Sequence, residues 1–340
     1  MAREVHEWIF DVGRSSDGLR LDSFLRQRLT WRSRARLRAA IEDGAVTVDA
    51  GEGQPAPGRV RAGLRLRSGQ RVTVRLPAPQ AEVPGGERGS EVVDVPILLE
   101  DEYLVAVSKP PDVNVYPTRR HRAGSLIELV HARPRAAEED PPSPCHRLDR
   151  ETSGVLLFAK GRRSRAIVQE QFERREVRKE YLAIVDGSPA EDEGTIDLPI
   201  GPDGASPVDI KMGVGGDGRR SPARTRWRVL ERFARRVLLW LQPETGRQHQ
   251  LRVHTAAIGC PILGDKLYLG GDDLFLRSLD GPLEPGDLER VGFHRLALHA
   301  WRLRIAHPAS GRESVVEAPL WGDLESLLLR LREAEASHRP

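Results

Sequence analysis

The segment that most constrains this chain is the stretch from His146 to Gly154 (HRLDRETSG), which runs directly into the apolar residues 155–159 (VLLFA). A continuous apolar run next to turn-forming residues is typical of a buried strand, so the stretch predicts a turn at the entrance of a core strand. Asp149 lies in this turn between two arginines, and a nearby positive charge favours the charged form of a carboxylate. An ionised carboxylate on a rigid element can act as a nucleophile or base; the alternative is a structural ion-pair cluster.

The whole-chain numbers describe a soluble protein with two cores. The chain has 340 residues, 39% of them hydrophobic and 30% charged, which predicts one large and one small domain. No apolar run approaches the roughly 18 residues of a membrane helix, and the N-terminus lacks the apolar core of a secretory signal. Cys145 and Cys260 are too few for a disulfide framework or a cysteine zinc site. We expect a monomeric cytoplasmic protein without metal or cofactor.

The N-terminal part is rich in arginine. Apolar residues at 21, 24, 25 and 29 share one helical face, a second helix is expected to end at Gly44, and residues 46–48, 64–66 and 72–76 have strand character. Two basic helices followed by a small sheet favour phosphate binding, and the alternative is a solvated helix pair without a ligand. The candidate RNA-binding residues are Arg20, Arg32, Arg34, Arg36 and Arg38.

Residues 78–90 are rich in proline and glycine without apolar periodicity, which is typical of a linker. We therefore predict a domain at 18–77, a linker at 78–90, a larger domain at 91–332, and a mobile tail at 333–340. The linker would allow the two domains to reorient.

The second polar signature spans residues 241–254 (LQPETGRQHQLRVH). Thr245 is a natural N-cap for a helix over about 246–258. Arg247 would then lie in the first helical turn, where a cation gains nothing from the helix dipole, so it is expected to serve a group outside the helix, such as a carboxylate. His249 and His254 are five residues apart and do not share a helix face as zinc ligands do, so we interpret them as hydrogen-bonding residues.

Four features together resemble the RluA-type RNA pseudouridine synthases. They are HRLDRETSG at 146–154, the pair Lys109-Pro110, the strand Lys179-Glu180-Tyr181-Leu182-Ala183, and the signature from Pro243 to His254. Residues 18–77 are similar to the S-four-like RNA-binding domain. The resemblance covers most of the chain.

The resemblance implies an α+β pseudouridine synthase fold, a long and largely antiparallel mixed sheet flanked by helices, with a small N-terminal S-four-like α/β domain. It implies that Asp149 is the essential carboxylate, that Arg247 pairs with it, and that Tyr181 stacks on the target base. It also implies that Arg147 fills the gap left by a flipped-out uridine. Further candidate substrate-binding residues are Leu148, Leu251 and Lys109.

The implied reaction detaches uracil from ribose carbon 1, turns the base and rejoins it through carbon 5, without a cofactor. The implied partner is RNA, with ribosomal RNA favoured over transfer RNA by the N-terminal domain. Two alternatives remain: a non-catalytic RNA-binding or ribosome-assembly factor, and a hydrolase of glycosidic bonds, which would release free uracil.

Overall fold

The structure is a computed structural model that describes residues 5–13, 16–29, 34–51, 58–77, 95–118, 123–134, 140–215 and 220–337. The described residues form two compact units, one drawn from residues 1–91 and 116–123, the other from 92–115 and 124–340. Each unit has a hydrophobic core. The predicted linker at 78–90 lies outside the described residues. No helix of the described chain is long and apolar enough to cross a membrane.

The N-terminal unit packs two helices against a small antiparallel sheet. Its elements are β1 (Val5–Asp11), α1 (Leu21–Arg28), α2 (Arg34–Glu42), β2 (Val46–Asp49) and β3 (Arg71–Pro77). The strand order is β1-β3-β2. The apolar face predicted for the first helix is confirmed, since the four side chains that define it are fully buried (Leu21, Phe24, Leu25 and Leu29).

Two details of this unit differ from the sequence prediction. The unit begins before residue 18, because β1 pairs with β3 along its whole length. Residues 64–66 are not a strand beside β3; they form one bridge, between Arg20 and Arg65. Both edges of β3 are occupied by β1 and β2, so no edge is left for a further partner.

The second unit is built on a ten-stranded sheet. Its first elements are β4 (Ile97–Glu100), β5 (Leu104–Lys109), α3 (Leu126–His131), β6 (Ser143–Pro144), β7 (Ser153–Ala159), α4 (Gly161–Glu173), β8 (Arg178–Asp186), β9 (Glu193–Asp197), β10 (Ile200–Pro202) and β11 (Met212–Val214). They are followed by β12 (Arg224–Arg232), β13 (Arg236–Pro243), α5 (Gln250–Ala257), α6 (Gly271–Asp280), α7 (Pro285–Val291), β14 (Leu298–Ala306), β15 (Glu313–Glu317) and α8 (Gly322–Ser337).

The sheet runs in the order β4-β5-β7-β14-β8-β13-β12-β9, with β6 added to β7 and β15 to β14. The pairing of β7 with β14 is parallel and the other pairings in this sheet are antiparallel. β10 and β11 form a separate hairpin. The predicted α+β class with a mixed, largely antiparallel sheet is therefore confirmed.

Gly154 allows the central strands to approach closely. Its φ is +109°, and a Cβ built there would lie 2.1 Å from the carbonyl oxygen of Ala300 on β14. Only a residue without a side chain fits this contact. The glycine therefore allows β7 to pack tightly against β14. Because the loop that carries Asp149 leads directly into β7, its position is fixed as well.

Two helix boundaries differ from the prediction. The helix α5 begins at Gln250 rather than at 246, so Thr245 is not its N-cap. The last helix, α8, continues to Ser337, so residues 333–337 of the segment predicted to be a mobile tail are helical. Residues 338–340 lie outside the described part of the chain.

Candidate active site

A groove of about 1080 Å³ lies in the second unit, over the middle of the sheet. Its walls come from the loop before β7, from β8, from the segment after β13, and from α5. Six of the candidate residues line it: Arg147, Leu148, Asp149, Tyr181, Arg247 and Leu251. The tertiary structure thus brings together residues that lie a hundred positions apart.

Asp149 is paired with a different arginine from the one we predicted. Nη1 of Arg252 lies 3.3 Å from Oδ2 of Asp149. Arg247 makes no ion pair within the described chain; its Nε donates to the carbonyl oxygen of Pro222 at 3.1 Å, and its side chain is exposed at the edge of the groove. The expected pair between Arg247 and Asp149 is therefore wrong, and Arg252 takes its place.

The local backbone explains this correction. Residues 245–249 form a turn, in which the side-chain oxygen of Gln250 accepts from the Thr245 hydroxyl at 2.6 Å and from the Arg247 amide at 3.0 Å. Because α5 starts only at Gln250, Arg252 occupies its first turn. A helical side chain leans toward the N-terminal end of its helix, and this brings the Arg252 guanidinium to Asp149.

Arg252 is itself held by a buried carboxylate. Its Nε and Nη2 donate to the two oxygens of Asp265 at 2.7 and 2.8 Å, and Asp265 also accepts from the amides of Leu267 and Tyr268. Burial lowers the pKa of Arg252, but the charge and hydrogen bonds of Asp265 and the charge of Asp149 outweigh it, so the pKa is raised. The guanidinium is thus a fixed positive charge, and it orients the carboxylate of Asp149.

The loop that carries Asp149 is tied to the core by buried cations. The ammonium of Lys109 donates to the carbonyl oxygens of Pro110, Val113 and Arg150 at 2.7 to 2.8 Å. Lys109 has no exposed surface and does not line the groove, so the predicted contact with substrate is wrong. Burial lowers its pKa to about 7. All three of its N–H donors bind backbone carbonyl oxygens, so Lys109 holds the loop that carries Asp149 in place.

Two further contacts hold the other end of this loop. Nη1 of Arg295 donates to the carbonyl oxygen of Glu151 at 3.2 Å, and Nζ of Lys266 lies 2.8 Å from both oxygens of the Glu151 side chain. Arg295 is buried and also forms a two-bond pair with Asp323. Rigid support of this kind keeps the Asp149 side chain in one geometry.

Tyr181 contributes an aromatic wall. It lies on β8 between Ala300 of β14 and Leu241 of β13, and only 8% of its surface is exposed. Burial and the charge of Asp149 raise the pKa of its hydroxyl, which stays protonated. The buried side chains of Leu148 and Leu251 add apolar surface to the same groove. The groove thus combines one carboxylate with apolar and aromatic walls, as a base-binding pocket requires.

The motif histidines make hydrogen bonds. His254 contacts the Thr225 hydroxyl at 2.9 Å and the Leu198 carbonyl oxygen at 2.9 Å, and His249 contacts the Tyr268 hydroxyl at 3.0 Å. The described residues contain no group of three or more His, Cys, Asp or Glu that could hold a metal ion.

Two of the candidate N-terminal arginines share one carboxylate. Arg20 pairs with the buried carboxylate of Asp22 at 3.0 Å, and Arg38 reaches the same carboxylate at 3.6 Å. Both arginine side chains remain nearly half exposed. Arg32 lies outside the described residues, as do the side chains at positions 34 and 36.

Arg252, His249 and Lys179 line the groove, although the sequence did not lead us to assign them to it. Burial lowers the pKa of Lys179, and its ammonium lies close to Gly246. Arg252 and His249 belong to the second signature, so the signal was present. The pair between Arg247 and Asp149 was what the resemblance implied, and the predicted helix start at 246 agreed with it because it directed Arg247 toward a group outside the helix.

Comparisons with known proteins identify the family of the chain. A family model described as RNA pseudouridylate synthase matches residues 103–257. The chain is 35% identical over 317 residues to the ribosomal large subunit pseudouridine synthase D of Nitrosomonas europaea, covering 93% of this chain and 85% of that protein. It is also 35% identical to an uncharacterized RNA pseudouridine synthase of Chloroflexus aurantiacus, covering 98% of this chain and 97% of that protein.

A solved structure shows the same likeness. Human RNA pseudouridylate synthase domain containing 4 is 32% identical, with a TM-score of 0.53, and the match covers 70% of this chain and 93% of that one. The chain therefore belongs to the RNA pseudouridine synthase family. It is accordingly an isomerase, which converts uridine in RNA to pseudouridine.

Proposed function

We propose that this enzyme modifies uridines of large-subunit ribosomal RNA, with Asp149 as its catalytic carboxylate. The observation that supports the residue assignment best is that Asp149 is a groove carboxylate anchored by a buried arginine, next to the aromatic wall of Tyr181. The relatives from Nitrosomonas europaea and Vibrio cholerae, both named as large-subunit ribosomal enzymes, support the choice of RNA.

In the proposed mechanism, a uridine is flipped out of the RNA and enters the groove with its base against Tyr181. Arg147, whose side chain is exposed, fills the gap in the RNA. Asp149 then attacks the sugar or removes a ribose proton. The detached uracil carries negative charge, so a single carboxylate suffices where glycoside hydrolases use two. Arg252 keeps Asp149 oriented throughout.

We propose that the N-terminal unit is an S-four-like domain that binds RNA phosphates. Its two helices pack on an antiparallel sheet, and Arg20 and Arg38 keep nearly half of their side chains exposed. Their shared pair with Asp22 reduces the net charge that they offer. We further propose that the enzyme acts as a monomer in the cytoplasm.

The test of the catalytic assignment is tritium release from an unmodified large-subunit ribosomal RNA transcript labelled at uridine carbon 5. Asp149→Asn is expected to abolish release while RNA binding, measured by filter retention, stays within a few-fold of wild type. Free uracil in the wild-type reaction would indicate the hydrolase instead. A wild-type protein that binds RNA and releases no tritium would indicate a binding factor.

Asp112→Asn is the matched control. Asp112 is a half-exposed carboxylate outside the groove, and its positive φ of 61° is well tolerated by asparagine. It should leave the rate unchanged. If Asp149→Asn retained turnover, the assignment of Asp149 would be wrong. Mapping pseudouridines in a deletion strain would identify the RNA, and a missing site in transfer RNA alone would overturn the ribosomal substrate.

A further inference from the structure

His249 stands out in the wall of the groove because of its backbone. Its φ and ψ are 55° and 16°, the left-handed region, at the residue that precedes α5. This conformation costs a side-chain-bearing residue of order 1 kcal/mol or more and is found preferentially at functional sites. Arg252 in the first turn of α5, and Asp149 and Arg147 of the loop before β7, are charged groups that act on its ring. The chain therefore accepts local strain to hold an imidazole at this position.

The hydrogen bonds around the ring determine which nitrogen carries the proton. The hydroxyl of Tyr268 accepts from the amide of Met212 at 2.9 Å and lies 3.0 Å from Nδ1 of His249. If the hydroxyl donates to Nδ1, then the Met212 amide, the Tyr268 hydroxyl and Nδ1 each have a hydrogen-bond partner. If Nδ1 carried the proton instead, the hydroxyl would receive two donors, and its own hydrogen would have no acceptor among the described residues. The first arrangement leaves the proton of a neutral ring on Nε2.

The ring is neutral at the pH of the reaction. Burial and the positive charge of Arg252 lower the pKa of His249 to about 4, despite the opposing charges of Asp149 and Asp265. The second nitrogen, Nε2, makes no hydrogen bond within the part of the chain that the structure describes. His249 lines the groove and thus offers it one N–H donor that no group of the described chain accepts.

We infer that His249 is a further catalytic residue, whose Nε2–H donates a hydrogen bond to a carbonyl oxygen of the detached uracil. This inference deepens the proposed function and rests on it. When the bond from ribose carbon 1 to N1 breaks, its electron pair leaves with the base, and the charge spreads over N1 and the two carbonyl oxygens. A fixed donor at one oxygen stabilises this anion more than the uncharged uridine, which lowers the barrier.

His249 moves no proton in this step. The new bond joins ribose carbon 1 to carbon 5, the proton on carbon 5 is lost, and N1 gains one, so the reaction remains a net isomerisation. The donor is held in place by Tyr268 throughout. Removing one donor of this kind typically slows chemistry by about 100- to 1000-fold, and less where the charge is delocalised, so we expect roughly 10- to 100-fold here.

The test is His249→Gly with added imidazoles. Glycine adopts the positive φ without strain, so the variant is expected to fold, and it leaves a cavity of the size of the lost ring. Single-turnover tritium release from the labelled ribosomal transcript should fall roughly 10- to 100-fold, while filter-binding affinity changes less than threefold. Imidazole at pH 8 should restore the rate at least fivefold. N-methylimidazole, which fills the same space without an N–H donor, should not.

The outcomes separate the claims. Equal rescue by both compounds, or a rate within threefold of wild type without any addition, overturns the hydrogen-bonding role. An absence of tritium release by the wild-type enzyme instead refutes the proposed function. If His249→Gly fails to fold, His249→Asn, which tolerates the same backbone and keeps an N–H donor, is compared with His249→Ser by rate. His249→Asn should release tritium at least about twice as fast as His249→Ser, and a smaller ratio of the two rates would overturn the inference.

Discussion

Replacing Arg252 by methionine tests the charge network of the site directly. The change removes a guanidinium that is 12% exposed and leaves the fully buried carboxylate of Asp265 without its partner. Loss of one member of a buried ion pair costs about 3–5 kcal/mol. Asp265 keeps two backbone amide donors, from Leu267 and Tyr268, so we expect a loss near the lower end, about 3 kcal/mol. For a unit of this size that lowers the Tm by roughly 6–12 °C.

Activity and stability can be separated by a second substitution. Asp265→Asn in the Arg252→Met background removes the unpaired buried charge and keeps an oxygen for the two backbone amides. The double variant should recover most of the Tm, as measured by calorimetry, but not the rate of tritium release, since Asp149 remains without its cation. We expect the rate to stay at least 100-fold below wild type.

Arg247→Ala is the matched control for this experiment. Arg247 lines the same groove, but its side chain is exposed and makes one hydrogen bond, to Pro222, so its loss should change the Tm by less than about 2 °C. A Tm drop in Arg247→Ala equal to that of Arg252→Met would contradict the reasoning. So would recovery of full activity in the double variant.

Two further substitutions and one pH titration test the packing and the buried charges of the second unit. Lys109→Met removes the donor to three carbonyl oxygens, two of them buried, and should lower stability by about 3 kcal/mol. An activity loss without a Tm change would restore a substrate-binding role. Burial lowers the pKa of His146 to about 3 and the pKa values of His249 and His299 to about 4, so the unfolded chain binds more protons than the folded chain as the pH falls through 6.5. The free energy of unfolding should therefore fall by roughly 3–4 kcal/mol between pH 7 and about 5.5 in urea titrations. A flat profile would mean that these rings are solvated. Gly154→Ala places a methyl group 2.1 Å from the Ala300 oxygen and should cost at least about 3 kcal/mol; a normal melting curve would refute the close approach of the strands.

The sequence by itself determined the local features of this protein. The spacing of Leu21, Phe24, Leu25 and Leu29 predicted the buried face of α1, because helical geometry alone places these positions together. The apolar run after Gly154 predicted a core strand, and β7 is buried along its whole length. The turn that carries Asp149 followed from its position at the entrance of that strand.

Only the tertiary structure decided which arginine forms the ion pair with Asp149. Arg247 and Arg252 both have the chemistry to pair with Asp149, and the choice depends on where α5 begins. The helix starts there because of Gln250. Its side chain accepts from the Arg247 amide in the preceding turn and donates to the hydroxyl of Thr225 on β12, which lies 25 residues earlier in the chain. Lys109 likewise matched a family pattern, but its burial arises from packing against a loop 41 residues further along the chain. Local periodicity carries no information about such distant partners, because they are set by how the elements pack.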